Sequence, residues 1–423
     1  MAHTDFDTLA ATLATFGATD VVGRSFGTIK LRLGDDIYDF SLPRRESKIG
    51  SGHRGFKIEP EPNLDDAAAA ARRDFTINAM AWDPFDDELV DPFGGKRDLE
   101  KGILRHTSPA FVEDPLRVLR AMQFAARLDL LLANETIELA RSIAGKFIEL
   151  PVERVWGEWE KWACQSVKPS RGIEVLRQTG WIEHFPEIAK LIDCPQDPEW
   201  HPEGDVYTHT NHCLDALVAA SDWEATAYDR RQVLMFATLA HDFGKPATTE
   251  KVEKHGQWRW TSPNHAFKGI EPTQTFLTRI GAPHRLAPQV APLVQFHMAH
   301  INGGSDGLTD NQVRRLARKL EPARIEDLVK VMQADTLGRP PRESLESLRL
   351  IELLGQSAAA LAVEKQAPAP YLRGRDLIDR GLSPGPQFSE ILRLAFEAQL
   401  TGTFDNHTDA LTWLDSYLKN QPS

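Results

Sequence analysis

Apolar positions change period several times along this chain. Phe6, Leu9, Leu13 and Phe16 recur at helical spacing behind Thr4 and Asp5, which predicts an amphipathic helix ending at Gly17. Between Phe26 and Leu33, and again between Ile37 and Leu42, the residues are of strand type, and Gly34-Asp35 between the runs predicts a tight hairpin turn. Period two sets Asp39 on the face opposite Tyr38, Phe40 and Leu42, where its carboxylate can face a cleft. Asp91-Pro92-Phe93-Gly94-Gly95 reads as a turn, and Leu99 to His106 leads into a helical region that continues to about Gly180. Helical patterns return at Arg231 to Ala240, closed by Gly244, and at Ser344 to Leu361. Gln366 to Pro370 is a Pro-broken linker, and Tyr371 to Leu418 has the composition of a small helical cap.

Two polar stretches interrupt these patterns and carry candidate chemistry. In Ala71 to Ala81, two arginines and an aspartate precede a short apolar run, so a fixed dication with its own counter-ion stands at the edge of a buried segment. A guanidinium fork is always charged and meets phosphate oxygens two at a time, and Asp74 and Asn78 can hold it still. The second stretch is Glu113-Asp114-Pro115-Leu116-Arg117-Val118-Leu119-Arg120. Pro115 suits a first helical turn, which places Asp114, Arg117 and Arg120 three residues apart on one face. A carboxylate beside an arginine on that face can imitate the edge of a base and read an incoming nucleotide.

Composition narrows the setting. The 423 residues allow two to four domains, and apolar and charged fractions of 41% and 26% are ordinary for a soluble globular protein. Without an apolar run of membrane-spanning length or a leader pattern, a cytoplasmic protein is expected. The formal charge of −12 weighs against non-specific coating of nucleic acid, so RNA contact must come from local patches such as Pro43 to Lys57, with Arg44, Arg45, Lys48, Arg54 and Lys57 against Glu46. The three cysteines, Cys164, Cys194 and Cys213, are widely spaced and read as free thiols outside any disulfide framework or Cys-based zinc site.

Taken together, Phe26-Gly27, Pro43-Arg44-Arg45-Glu46-Ser47-Lys48, Arg72-Arg73-Asp74-Phe75-Thr76-Ile77-Asn78-Ala79, Asp91-Pro92 with Gly94-Gly95, Leu104-Arg105-His106 and the Glu113 to Arg120 block resemble the class II tRNA nucleotidyltransferases and bacterial poly(A) polymerases. The blocks stand in family order over most of the first 190 residues. The resemblance implies a mixed fold: a small α/β head of the DNA polymerase beta type over residues 1–105, a helical neck for nucleotide selection over 106–190, a metal domain over 191–345, and a helical carboxyl-terminal region over 346–423. It implies transfer of CMP or AMP from CTP or ATP to the 3′ end of tRNA or another RNA, with Mg2+ as the transfer metal. Arg73 would contact the triphosphate, Asp114 and Arg117 would pair with the base, Arg120 would support the phosphates, and Asp39 would be a catalytic carboxylate. Where many relatives carry a further arginine after Arg120, this chain has Gln123. Family members begin with a Gly-Gly-x-x-Arg-Asp loop and an Asp-x-Asp pair for two magnesium ions, and this sequence starts after that point, so the head reads as truncated. Asp5-Phe6-Asp7 is the nearest substitute.

Pro195 to Asp205 reads as a loop and a domain boundary. Beyond it His209, then His241-Asp242-Phe243-Gly244-Lys245, His265, His297 and Asp335 supply neutral imidazoles and carboxylates, good ligands for a divalent transition metal. Their order resembles the HD phosphohydrolase domain. That likeness implies His209, His241, Asp242 and Asp335 as first-metal ligands and His265 and His297 as second-metal ligands, with hydrolysis of a phosphoester by metal-activated water. His212 and His255 read as structural. Three readings follow: a nucleotidyltransferase with an attached hydrolase, a transferase-defective hydrolase that retains nucleotide or tRNA binding, and an RNA-binding protein with two relic sites.

Overall fold

The computed structural model describes residues 4–22, 28–42, 44–48, 56–60, 64–341 and 344–420, with the backbone alone for 22, 44–48 and 56–60. Phe26-Gly27, Pro43, Arg54 and residues 342–343 therefore lie outside the described residues. The chain divides into two compact units, Met1–Pro186 and Glu187–Ser423.

In the first unit, helix Phe6–Ala14 starts where the Asp5 carboxylate accepts hydrogen bonds from the Thr8 amide and hydroxyl, each at 2.8 Å. Asp5 is thus a helix cap, which argues against Asp5-Phe6-Asp7 as a metal pair. Strands Ala18–Val22, Thr28–Leu33 and Asp36–Ser41 form an antiparallel sheet in that order. Leu9 and Leu13 of the helix pack on Ile29, Leu31 and Leu42, so the period-two apolar face of the hairpin finds its cover. Strands Arg44–Lys48 and Phe56–Pro60 pair antiparallel within the basic stretch.

Further along, Ile103–Leu104 is a short strand rather than a helix start, paired parallel with Leu131–Leu132. The expected helix face at 114–120 is also modified: Asp114 is extended (φ −117°, ψ 102°), Pro115 is the cap, and the helix runs Leu116–Leu128. It packs with Val152–Gln165 and Pro169–Gln178 around Met122, Trp159 and Trp162. Gly172 lets two of these helices close, because a Cβ there would lie 2.7 Å from the Met122 carbonyl oxygen and 2.8 Å from the Trp162 ring.

The second unit is mainly helical. Helices Tyr228–Ala240, Ala287–Phe296 and Ile325–Leu337 are tied at their amino-terminal ends by Arg230, which donates to Gln289 Oε1 at 2.6 Å and pairs with the buried Asp327. Val206–Val218 packs against the first and third of them and is capped by Asp205, which accepts from the Thr208 amide at 2.8 Å. A hairpin of Glu250–Lys254 and Gln257–Thr261, which the apolar pattern does not signal, is joined to the 197–199 loop by Arg259 with Asp197 and Glu199. Leu377, Ile391, Ala395, Phe404 and Leu414 make a separate small core near the carboxyl end. Among the described residues no helix is long and apolar enough to cross a membrane.

The contrast between two helical glycines tests this packing. Gly172→Ala should destabilise the protein by about 1–3 kcal/mol through overpacking. Gly157→Ala, where a Cβ would meet nothing within 4 Å, should stabilise it by about 0.5–1 kcal/mol. Urea unfolding of the two variants checks the opposite signs; equal shifts would contradict the close approach at Gly172.

Candidate functional site

The first unit holds a cavity of about 530 Å3 lined by Arg72, Arg73, Asp74, Asn78, Asp114, Arg117, Arg120 and Arg154 among others. Five guanidinium groups face it against two carboxylates, so the cavity favours a polyanion. Its organiser is Asp74, which is 7% exposed. Asp74 Oδ1 accepts from the Phe75 amide and from Asn78 Nδ2, both at 2.9 Å, and Oδ2 accepts from Arg120 Nε at 2.6 Å. Arg73 is held by the Asn78 carbonyl at 2.8 Å, not by Asp74 as its sequence position suggests. Arg117 donates to the carbonyls of Ala110 at 2.8 Å and Arg72 at 2.6 Å. Helix Leu116–Leu128 therefore grips both ends of the Arg72 to Asp74 turn.

Arg73, Asp114, Arg117 and Arg120 are brought together here, and Asp39 is not. It is exposed, stands opposite Lys30 in the sheet register, and is absent from the cavity lining. Arg154, from helix Val152–Gln165, was not singled out by any motif, yet its Nη2 meets Asp114 Oδ2 at 2.9 Å. No spacing rule links residues 40 apart on different elements.

In the second unit the metal candidates converge at helix ends. His241 and His297 directly follow Tyr228–Ala240 and Ala287–Phe296, and Asp335 lies in the last turn of Ile325–Leu337. The Arg230 tie therefore aligns these helices so that their carboxyl-terminal ends, which carry partial negative charge, meet at the ligands. Three imidazoles are oriented alike: Nδ1 of His241, His265 and His297 donates to the carbonyl of Thr238, Ser262 and Val294, at 2.7, 2.8 and 2.7 Å. Each donation leaves Nε2 as the free donor atom for an ion. His241 Nε2 lies 3.3 Å from His209 Nε2, and His265 Nε2 lies 3.3 Å from His297 Nε2. Asp335 Oδ1 is 3.1 Å from His209 Nε2, and Asp242 Oδ2 is 3.3 Å from His241 Nε2.

The donor set fits a divalent cation on an observation of its own. Both oxygens of Asp242, 1% exposed, accept no hydrogen bond of ordinary geometry, although Lys245 Nζ stands 2.7 Å from Oδ2. A buried carboxylate in that state calls for a cation. Burial disfavours both charges, yet Lys245 beside Asp242 and Arg339 beside Asp335 hold the two carboxyls well below the usual carboxylate range. Burial likewise opposes charge on His241, but Asp242 offsets it and lifts the imidazole to about 10. His297 is pressed down to about 3, first by burial and then by the neighbouring imidazoles.

Sequence reasoning missed a carboxylate behind the cluster. Glu203 Oε1 lies 2.9 Å from His209 Nδ1 and 2.8 Å from His201 Nδ1. It sits in the segment read as a plain loop, with no helical spacing to mark it. Gly244 also acts differently from its expected role: the helix already ends at Ala240, and Gly244 has an ordinary φ of −83°. Its value is closeness, since a Cβ there would fall 2.0 Å from the His265 carbonyl oxygen. A cavity of about 500 Å3 opens on Asp242, His265, His297 and Asp335, with Lys245 and Arg339 also on its wall.

Gly244→Ala should push the His265 segment away and weaken Mn2+ binding at least about tenfold while most helical signal remains, read by calorimetric titration and circular dichroism. Unchanged affinity would remove Gly244 from the construction of the centre. Because protons on His241, lifted to about 10, compete with an ion, apparent metal affinity should rise with pH throughout the range below about 10, and binding should release protons. A flat profile in two buffers of different ionisation enthalpy would contradict that competition.

Residues 8–105 match the family described as the Poly A polymerase head domain. The Multifunctional CCA protein of Xylella fastidiosa is 35% identical over 400 residues, covering 92% of this chain and 89% of the relative. That of Xanthomonas campestris pv. campestris is 35% identical over 370 residues, covering 84% and 83%. Among solved structures, the Bacillus stearothermophilus CCA-adding enzyme in complex with CTP is similar with a TM-score of 0.61 at 21% identity, over 96% of this chain and 85% of that one. The Thermotoga maritima CCA-adding enzyme complexed with tRNA gives 0.57 at 19%, over 99% and 85%. The structural likeness speaks for the fold, and the identity to CCA proteins over most of both chains speaks for descent. The chain belongs to the CCA-adding tRNA nucleotidyltransferase family, whose head is of the poly(A) polymerase type.

Proposed function

We propose that this protein adds CMP and AMP to the 3′ end of tRNA, taking CTP and ATP into the arginine-lined cavity, and that its second unit is a metal-dependent phosphohydrolase. The observation that carries the first part is the excess of guanidinium groups in a cavity that also offers Asp114. In this reading Arg73 and Arg120 meet the triphosphate, with Asp74 fixing Arg120 for the purpose. Asp114, already oriented by Arg154, accepts from the amino group that cytosine and adenine both carry, while Arg117 fixes the turn and borders the base. Mg2+ serves the transfer, and the role of Asp39 as one of its carboxylates is part of the proposal.

In the second unit, His209, His241, Asp242 and Asp335 would hold one ion, with His265 and His297 available to a second. Such an ion activates water and stabilises charge on a phosphoester. Lys245 and Arg339 would draw the phosphate to the cavity wall, and Glu203 would hold His209 in one tautomer. A second reading, a hydrolase that only binds nucleotide or tRNA through its head, is favoured by the position of Asp39 outside the arginine cavity.

Incorporation of labelled CMP and AMP into tRNA lacking its terminal CCA, with Mg2+, separates the two. Arg73→Ala should raise KM for CTP and ATP on the order of 10- to 100-fold, the loss of a charged hydrogen bond, and leave hydrolysis of a 2′,3′-cyclic nucleotide unchanged. Asp39→Ala should lower incorporation without altering nucleotide affinity. Asp242→Ala should abolish the metal-dependent hydrolysis and spare incorporation. A wild-type protein that hydrolyses but never incorporates would overturn the transferase in favour of the second reading.

A further inference from the structure

The cavity that opens on the metal cluster has an apolar lining that the hydrolase reading leaves unused. Besides Lys245 and Arg339, its wall includes Trp200, Trp260, Met298 and Ile301. Trp200 and Ile301 are 55% and 50% exposed, and large apolar side chains left open to solvent beside buried charges mark a ligand surface rather than a core. At about 500 Å3 the cavity has the size of pockets that enclose whole small ligands, about 300–1,000 Å3, and far exceeds what a phosphate group fills.

These residues belong to the segments that carry the metal candidates. Met298 directly follows His297, and strand Gln257–Thr261 leads into Ser262, whose carbonyl accepts from His265 Nδ1 at 2.8 Å. Lys251, the cross-strand partner of Trp260, sets its Nζ 5.6 Å from the centroid of the indole and steadies the ring. Arg259, on the opposite face of the hairpin, pairs with Asp197 and Glu199. The Asp197 carbonyl accepts in turn from the Trp200 amide at 3.1 Å, so one ion-pair cluster sets both tryptophans. Trp258 shares the face of Trp260 by period two, is 64% exposed and is absent from the cavity lining, which makes it an internal control.

We propose that Trp200 and Trp260, with Met298 and Ile301 beside them, form a nucleobase subsite, so that the second unit selects phosphoesters that carry a base. The inference rests on the hydrolase reading above and names what else of the substrate that site holds. The ligand must combine an anionic phosphate for Lys245 and Arg339 with a flat apolar group for the indoles, and a nucleotide is the ligand of that kind that the proposed tRNA substrate supplies. Every base has a π-face, so an indole stacks on any of them. Gln196, also on the wall, is committed to Lys245 Nζ at 2.6 Å and to the Gly204 carbonyl at 3.3 Å. The subsite therefore separates base from no base rather than one base from another.

The test compares two esters with the same scissile bond, adenosine 2′,3′-cyclic phosphate and the baseless methyl riboside 2′,3′-cyclic phosphate, on the full-length protein with Mn2+ and, in parallel, Co2+. Wild type is expected to show a KM about 5- to 150-fold lower for the adenosine ester, the worth of one stacked base, at similar kcat. Trp260→Ala should remove most of that difference and Trp260→Phe should restore it. Trp200→Ala should act in the same direction, and Trp258→Ala should leave both esters as in the wild type. Photo-crosslinking with azidoadenosine 2′,3′-cyclic phosphate needs no turnover, and label on the peptides around Trp200 and Trp260 is expected. Equal KM for the two esters in the wild type, or label confined to the first unit, would overturn the subsite and leave the hydrolase standing. Label at the tryptophans with neither ester hydrolysed would overturn the hydrolase and leave the base subsite. Phenyl phosphate hydrolysed in preference to the nucleotide, and bound more weakly by Trp260→Ala, would give the wall to aryl phosphates and overturn the nucleotide as its occupant.

Discussion

Two carboxylates, Asp242 and Asp335, are buried where helices end, and the second unit is built around compensating their charge. A carboxylate removed from water is stable only beside cations or strong donors. Lys245 and Arg339 supply part of the answer at 2.7 and 2.6 Å. The rest comes from imidazoles, which can carry either a proton or a shared ion. The backbone makes that choice specific: carbonyls take the Nδ1 protons of His241, His265 and His297 and leave Nε2 facing inward. Arg230 works at the opposite helix ends, tying Gln289 and Asp327 so that this convergence is repeated in every folded molecule.

The first unit solves the inverse problem. Its cavity gathers like-charged guanidinium groups, which repel unless each is held. Asp74 takes Arg120, Asp114 takes Arg154, and main-chain carbonyls take Arg73 and Arg117. Carbonyl acceptors orient a guanidinium without cancelling its charge, so Arg73 keeps its attraction for phosphate. The two carboxylate pairs do further work: Asp74 with Arg120 fixes the turn, and Arg154 orients the oxygens that Asp114 presents.

Much of this was legible along the chain because local rules governed it. The first helix and the hairpin followed from apolar period and Gly34-Asp35, and the histidines and aspartates of the metal cluster stood out by type and order. What escaped were partners supplied from distant elements. Arg154 reaches Asp114 across 40 residues, and Glu203 reaches His209 from an irregular loop. Asp114 shows a subtler limit. Proline at 115 signals a helix start correctly, yet the residue before a proline is driven out of helical geometry, so the carboxylate leaves the face that simple spacing assigns to it.

Glycine marks where both units close, for a reason unrelated to turns. Gly172, Gly244 and Gly338 have no left-handed backbone, and each stands where a methyl group would overlap a neighbour: the Met122 carbonyl, the His265 carbonyl and the Cys213 sulfur. Gly244 bears on the candidate metal cluster. A centre whose donors must meet within a few ångströms cannot tolerate bulk behind them, because displacement of even one ligand by a methyl radius exceeds the tolerance of the coordination bonds. The absence of a side chain at 244 is therefore as much a part of the candidate metal site as the presence of imidazole at 241 and 265.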